Sequence, residues 1–305
     1  MATQTQTKAV RLAVNEEVIV GESLTRVAMR RLRRDRLTQA AAGALLILTL
    51  SAIFAPFIST QILHQNHTRT SVTEAFMPPG TDGHILGTDD LGRDHLARLL
   101  YAGQVSLGIG FMAALLSLGI GVSLGILTGY FGGIVDDLVN WIIATLTSIP
   151  SLFLLLILSA VLTPGPTTLV LVLGLLGWTG TTRLVRDETL TIREREYIVS
   201  ARAIGASPAR IMFVHILPNL FSIITVTLAI DIGTLILVEA ALSYLGLGVQ
   251  PPVPSWGNML TGAQTFFTKG PYLVVAPGLL IFMTVLCLYV IGDGVRDAFD
   301  PTAVD

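Results

Sequence analysis

Residues 196–219 read E-Y-I-V-S-A-R-A-I-G-A-S-P-A-R-I-M-F-V-H-I-L-P-N, a polar stretch set between two apolar runs. Its first half, Glu196 to Ile204, is patterned as a helix. A Gly-Ala-Ser-Pro break follows (Gly205 to Pro208), then a second amphipathic half ending at Pro218. Ala201, Ala203 and Ala206 leave little side-chain bulk around Gly205, so another protein's groove has close access to the backbone there. The stretch reads as a docking helix rather than a linker. The plainer alternative is an ordinary amphipathic loop helix.

What flanks it sets the class of the molecule. The chain of 305 residues is 52% hydrophobic and only 13% charged, and its mean hydropathy is +0.70. Ordinary soluble domains lie outside that range, and the chain reads as an all-α integral membrane protein. The net charge of -2 carries no information about nucleic acid, and the arginine cluster described below lacks the interleaved aromatics of a nucleic-acid patch. A single cysteine, Cys287, lies in an apolar run, which rules out a disulfide framework and a multi-cysteine metal site.

Apolar runs long enough to cross a hydrocarbon core of roughly 30 Å at about 1.5 Å per helical residue are expected at 39–58, 105–130, 138–162, 168–182, 220–245 and 272–292. That makes about six transmembrane helices. The division that follows is a basic cytoplasmic segment 1–38, with residues 1–25 loosely ordered, a first span 39–58, and an external loop and connector 59–104. A five-helix core 105–292 comes next, with the polar loop 187–219 inside it, and then a cytoplasmic tail 293–305. Arg26, Arg30, Arg31, Arg33, Arg34 and Arg36 crowd before the first span, and Arg183, Arg186, Arg193, Arg195, Arg202 and Arg210 lie just before or within the polar loop. Of the 19 lysines and arginines, only Arg69, Arg93, Arg98 and Lys269 fall on the opposite side. The positive-inside bias therefore places both termini and Glu196 to Asn219 in the cytoplasm.

Gly121, Gly125 and Gly129 recur every four residues and mark one face of the second span for close helix packing. Pro150 removes a backbone donor from the third span and is expected to kink it.

Three ordered motifs give a resemblance. Ala201-x-x-x-Gly205 followed by Leu217-Pro218 resembles the Glu-Ala-Ala-x-x-x-Gly loop of ABC importer permeases. R-A-I-G-A-S with H-I-L-P-N is similar to their dipeptide/oligopeptide/nickel branch. Leu86 to Gly103, L-G-T-D-D-L-G-R-D-H-L-A-R-L-L-Y-A-G, and Glu239 to Leu260, E-A-A-L-S-Y-L-G-L-G-V-Q-P-P-V-P-S-W-G-N-M-L, resemble two further elements of the same branch. Val199 stands where the family has Glu, Ser200 replaces the first Ala, His215 falls where the general motif has Ile, and Tyr244 replaces Phe.

The resemblance implies a type I permease fold and a C-type subunit that forms half of a translocation pathway. It also implies that Glu196, Tyr197, Ser200, Ala201, Arg202, Ala203, Gly205, Ala206, Ser207 and Pro208 form the coupling helix that seats in a cleft of an ATPase. The implied partners are a homologous second permease, two ATP-binding subunits holding ATP and Mg, an extracytoplasmic substrate-binding protein and the bilayer of the inner membrane. Peptides are the implied cargo, with nickel or another small solute as the alternative.

No Gly-x-x-x-x-Gly-Lys-Ser/Thr occurs, and with Lys8 and Lys269 as the only lysines none is possible, so this chain has no phosphate cradle of that type. No nucleophile, base or metal constellation stands out. His64 and His67 read as a solvated outer loop. Asp89, Asp90 and Asp94 beside Arg93 and Arg98 read as a salt-bridged connector. Asp136 and Asp137 read as caps of the third helix. Two carboxylates, Asp231 and Glu239, lie inside an apolar span, where ionisable groups face a cavity or a partner. Glu239 reads as a structural or gating residue rather than a substrate contact. Asp231 reads either as a polar pathway residue or as a helix–helix hydrogen bond. With both as ion carriers, an ion-coupled secondary transporter is the rival class.

Overall fold

The computed structural model describes residues 24–299. The polar leader of residues 1–23, with Lys8 and Arg11, and residues 300–305 of the tail lie outside them.

Twelve α-helical segments follow in order: α1 Leu24–Leu32, α2 Arg36–Ile53, α3 Ala55–Phe57, α4 His95–Phe131, α5 Gly133–Thr147, α6 Ser151–Val161, α7 Pro166–Arg193, α8 Glu196–Ala203, α9 Pro208–Arg210, α10 Phe221–Tyr244, α11 Ala263–Lys269 and α12 Tyr272–Phe299. Two isolated bridges, Thr81 with His84 and Thr88 with Asp94, are the only β pairing among the described residues. By length and composition, α2, α4, α7, the run Pro208–Tyr244 and α12 are each apolar and long enough to cross a membrane, and the pair α5 and α6 makes a sixth span if taken together.

Several expected boundaries are corrected. The second span starts at His95 rather than Val105, because Asp94 caps it by accepting from the Ala97 amide at 2.7 Å. The fourth span reaches Arg193 instead of stopping at Thr182, since Trp178, Thr181 and Thr182 are buried against α4 rather than marking a polar exit. Pro150 does more than kink the third span. It stands as the cap of α6, and α5 and α6 diverge by 80°, because a proline withholds its own N–H and pushes the residue before it out of the helical region. Pro218 does not end the amphipathic half of the polar loop. Ile211–Ile216 widen into a π turn, Leu217–Leu220 tighten into a 3-10 turn, and Asn219 Nδ2 donates to the His215 carbonyl at 2.6 Å. The backbone groups disturbed by the proline are thus absorbed, and the helix runs on into α10.

The frame of the bundle is α4 lying along α7. A Cβ placed on Gly121, Gly125 or Gly129 would fall 2.7 Å from Thr181 Cβ, 2.7 Å from Val185 Cβ and 2.6 Å from Thr189 Cβ respectively. The four-residue glycine period therefore does what it implied, bringing two backbones together where lipid supplies no apolar drive to do so. On the other side α10 packs on α4 and α12, and α12 carries α2 and α1. Asp136 and Asp137 do not cap α5, whose cap is Gly132 without a side-chain bond. Instead Arg186 of α7 donates through Nε and Nη2 to both oxygens of Asp136, each at 2.5 Å. A bidentate arginine thus ties the bent pair to the frame.

Candidate functional site

The polar loop sits at one end of this frame. Arg193, at the end of α7, donates through Nη1 to the Gly129 and Tyr130 carbonyls at 3.1 and 3.2 Å, closing the C-terminus of α4 and setting the direction in which the chain leaves. The short α8 then follows, with Glu196 in its first turn and Arg202 in its last, each matched in sign to the helix dipole. Ile198 and Ala201 turn inward and are buried. Ile198 joins Ile126 of α4, Val185 and Ile192 of α7, and Ile211, Met212, Ile216 and Leu220 of the run entering α10 in one apolar cluster. The eight-residue helix is therefore rooted in three long elements at once. Arg202 also lies over the Tyr130 ring at 5.8 Å.

The turn after α8 has a defined chemistry. The Gly205 amide donates to the Arg202 carbonyl at 3.0 Å and the Ala206 amide to the Ala201 carbonyl at 3.0 Å. This is the paired closure of a Schellman motif, with Gly205 at φ +87°. Ser207 caps α9, its Oγ accepting from the Arg210 amide at 3.4 Å, and Pro208 takes the first helical position, where its missing N–H matters least. A Cβ on Gly205 would meet nothing within 4 Å. The position needs glycine for its backbone conformation, not for space inside this chain.

The outward face is formed by Glu196, Tyr197, Val199, Ser200, Arg202, Ala203, Ile204, Gly205, Ser207 and Pro208, all exposed, with Ala206 half-buried. Val199 and Ile204 are the residues the sequence reading did not assign to the site. Ile204 is 87% exposed, so an apolar side chain stands out on the same exposed face as Tyr197 and Val199. Their signal was local: they occupy the helix positions left over once Ile198 and Ala201 point inward.

The two carboxylates of α10 differ in their surroundings. Glu239 is 0% exposed. Its oxygens accept from Ser106 Oγ of α4 at 2.9 Å and from Ser243 Oγ at 2.7 Å. Ser106 Oγ in turn accepts from the Trp256 amide, and Ser243 Oγ from the Val249 amide. Trp256 Nε1 donates to the Leu99 carbonyl at 3.1 Å. Glu239 is thus the centre of a satisfied network that fastens the 245–260 loop onto α4 and α10. Asp231 accepts one bond, from Thr181 Oγ1 of α7 at 3.2 Å. The sequence reading's helix–helix bond is therefore present, and the structure does not bring Asp231 and Glu239 together.

At the far end of the bundle, Asp89 Oδ2 accepts from Arg93 Nε at 2.7 Å and Arg98 Nη1 at 2.8 Å, and Asp94 pairs with His84 at 2.8 Å. Burial, followed by the charge of Asp89, raises the pKa of Asp90. His67 is half-buried and stacked on Tyr101 at 3.7 Å, so the 64–67 turn is less solvated than expected. Among the described residues no group of three or more His, Cys, Asp or Glu is placed to hold a metal ion.

Residues 121–304 match the family model described as binding-protein-dependent transport system inner membrane component, and residues 23–79 match the N-terminal TM domain of oligopeptide transport permease C. An oligopeptide transport system permease protein of Bacillus subtilis is 37% identical over 279 residues, covering 92% of this chain and 90% of that one. A dipeptide transport system permease protein of the same organism is 37% identical over 280 residues, covering 92% and 86%. A glutathione transport system permease protein of Pectobacterium atrosepticum is 36% identical over 272 residues, covering 89% of each. Among solved structures, a chain of the inward-facing MetNI methionine ABC transporter superposes with a TM-score of 0.53 at 20% identity, over 67% of this chain and 96% of that one. That likeness bears on the fold alone.

Proposed function

This chain belongs to the family of binding-protein-dependent transport system inner membrane components and is an ABC importer permease subunit, and we propose that its cargo is peptides, that it forms half of the translocation pathway, and that α8 to α9 is where a separate ATPase couples to it. The peptide class is supported by the names of the relatives, which are oligopeptide and dipeptide permeases. The observation that carries the coupling role is the construction of the corner. Ile198 is sunk in a cluster shared by α4, α7 and the run before α10, and Ala201 is buried on the same helix, while Tyr197, Val199 and Ile204 stand exposed on its outer side.

A push on the exposed face has a direct mechanical route. Because Ile198 shares one buried cluster with Ile126, Val185 and Ile211, a shift of α8 is passed to α4, α7 and the run that leads into α10. Packed interiors shift between discrete arrangements rather than yield smoothly. Closure of two ATP-binding subunits, which hold the ATP and Mg, would tilt α4, α7 and α10 against a homologous second permease and alternate the access of the groove between them. An extracytoplasmic binding protein would deliver cargo at the opposite end. On this reading both termini and residues 196–219 lie in the cytoplasm, and the membrane is the inner membrane.

The experiment is site-directed crosslinking in the assembled complex. A cysteine at Ser200, on the outer face, is expected to crosslink to the ATPase with a short bifunctional reagent. One at Ser123, exposed on the side of α4, is not. Equal crosslinking at both positions would remove α8 as the specific contact.

A further inference from the structure

Helices α7 and α10 both pack along α4 but touch each other sparingly, so a groove runs between them. One face of α7 carries Gly177, Thr181, Leu184 and Glu188, and one face of α10 carries Val238, Leu235, Asp231 and Thr227, each set at three- and four-residue steps. Apart from Thr181 and Asp231, these two rows line two cavities. Toward the Pro150 bend, Gly177, Leu235 and Val238 border one of about 340 Å3. Toward the α8 end, Leu184, Glu188 and Thr227 border another of about 500 Å3, which also takes in Arg296. Between them, at the same level on both helices, stands the hydrogen bond from Thr181 to Asp231.

The state of the Asp231 carboxylate separates it from its neighbour on the same helix. Glu239 is enclosed and both its oxygens are engaged by hydroxyls. Asp231 is half-buried, accepts one hydrogen bond at 3.2 Å from an uncharged hydroxyl, and among the described residues no cationic side chain pairs with it. A carboxylate within a membrane span with most of its acceptor capacity unused is a site waiting for a donor, and a cation is the donor that best offsets its desolvation.

We propose that Asp231 is the substrate contact at the narrow point of this subunit's groove, where its carboxylate takes the ammonium group of a peptide passing between the two cavities. The proposal rests on the peptide-importer reading above. Thr181 aims the carboxylate across the groove, and the hydrogen bond between them opens as the ammonium replaces the hydroxyl. No covalent step is involved: a hydrogen bond from an uncharged hydroxyl is exchanged for one from a cationic ammonium, which adds the attraction of opposite charges.

The test uses the complete complex with its partner permease, ATPases and binding protein in proteoliposomes, with trialanine as the probe. The readout is peptide accumulated per ATP hydrolysed. Asp231→Asn keeps an acceptor for Thr181 but removes the charge, whereas Thr181→Ala keeps the charge and removes the hydrogen bond. A substrate contact is expected to lose about tenfold in that ratio in Asp231→Asn, the factor that about 1.4 kcal/mol represents, and less than about twofold in Thr181→Ala. Stimulation of ATP hydrolysis by loaded binding protein should remain in both variants. The reverse ranking, Thr181→Ala impaired and Asp231→Asn near wild type, would make the pair a structural tie and overturn the proposal alone. Absence of trialanine uptake by the wild-type complex would be a failure of the peptide-importer reading, and the proposal would fall with it.

Discussion

At the scale of single residues the informative contrast is between two carboxylates that look alike in the sequence. Asp231 and Glu239 are both lone acids in one apolar run, and only Glu239 opens a motif and has a serine, Ser243, one helical turn on. The rest of the difference comes from Ser106, which lies far away in the chain and reaches only Glu239. Glu239→Ala leaves the Ser106 and Ser243 hydroxyls facing an empty buried pocket, at about 1–3 kcal/mol for each stranded group. Glu239→Gln keeps the shape and one acceptor. The alanine variant is expected to lower the midpoint of thermal unfolding of the solubilised protein clearly more than the glutamine variant, as read by a tryptophan-fluorescence melt. Equal midpoints would show that neither the volume nor the hydrogen bonds of this side chain hold the 245–260 loop. The same long-range blindness explains Asp136. Its place in a first helical turn suggested a cap, and only its fold neighbour Arg186 shows it to be a clamp between helices.

At the scale of elements, the periodic features were legible and the irregular ones were not. The glycine repeat on α4 pointed to close packing without naming the partner, and α7 supplies it through Thr181, Val185 and Thr189. Gly125→Leu is expected to abolish a monodisperse solubilised peak, because its Cβ alone would sit 2.7 Å from Val185 Cβ and 2.9 Å from the Thr182 carbonyl, overpacking that a membrane interface built on small residues cannot relax. Gly108→Ala, where nothing lies within 4 Å, serves as the neutral control, and size-exclusion chromatography separates the two. Loss of the peak in both would show that glycine itself, not the α4–α7 contact, is required. Pro150 and Pro218 show the limit of reading by residue type. Both remove a backbone donor, yet Pro150 ends a helix and Pro218 does not. The difference lies in what surrounds them: Ile216 and Leu220 are buried in the shared cluster on either side of Pro218, whereas the residues around Pro150 are exposed.

At the scale of the whole molecule, the all-α class and five to six candidate spans followed from hydropathy and length, and the candidate site followed from one loop. Its mechanical connection did not, because the buried side of α8 is built from α4, α7 and the run before α10. On the orientation proposed above, which the arginine asymmetry supports, that loop lies in the cytoplasm. Ser200→Cys is therefore expected to resist an impermeant maleimide in intact cells and to react in inverted vesicles, with buried Cys287 silent in both. Labelling from outside intact cells would invert the topology.

The central claim is that motion at α8 to α9 is transmitted through a corner whose geometry depends on Gly205. At φ +87° with open space around its Cα, a side chain there is disfavoured by backbone strain of about 1–2 kcal/mol and not by a clash within this chain. The corner lies outside the long apolar helices, so Gly205→Val should leave the bundle and its abundance in the membrane near wild type. Ser207→Ala, which gives up one long hydrogen bond at 3.4 Å, should be mild. The most direct measurement is ATP hydrolysis stimulated by the loaded binding protein in reconstituted complexes of wild type, Gly205→Val and Ser207→Ala. The expected result is loss of stimulation and weakened co-purification of the ATPase in Gly205→Val alone. Wild-type stimulation in Gly205→Val, at equal expression, would contradict the account and reduce the loop to a passive connector.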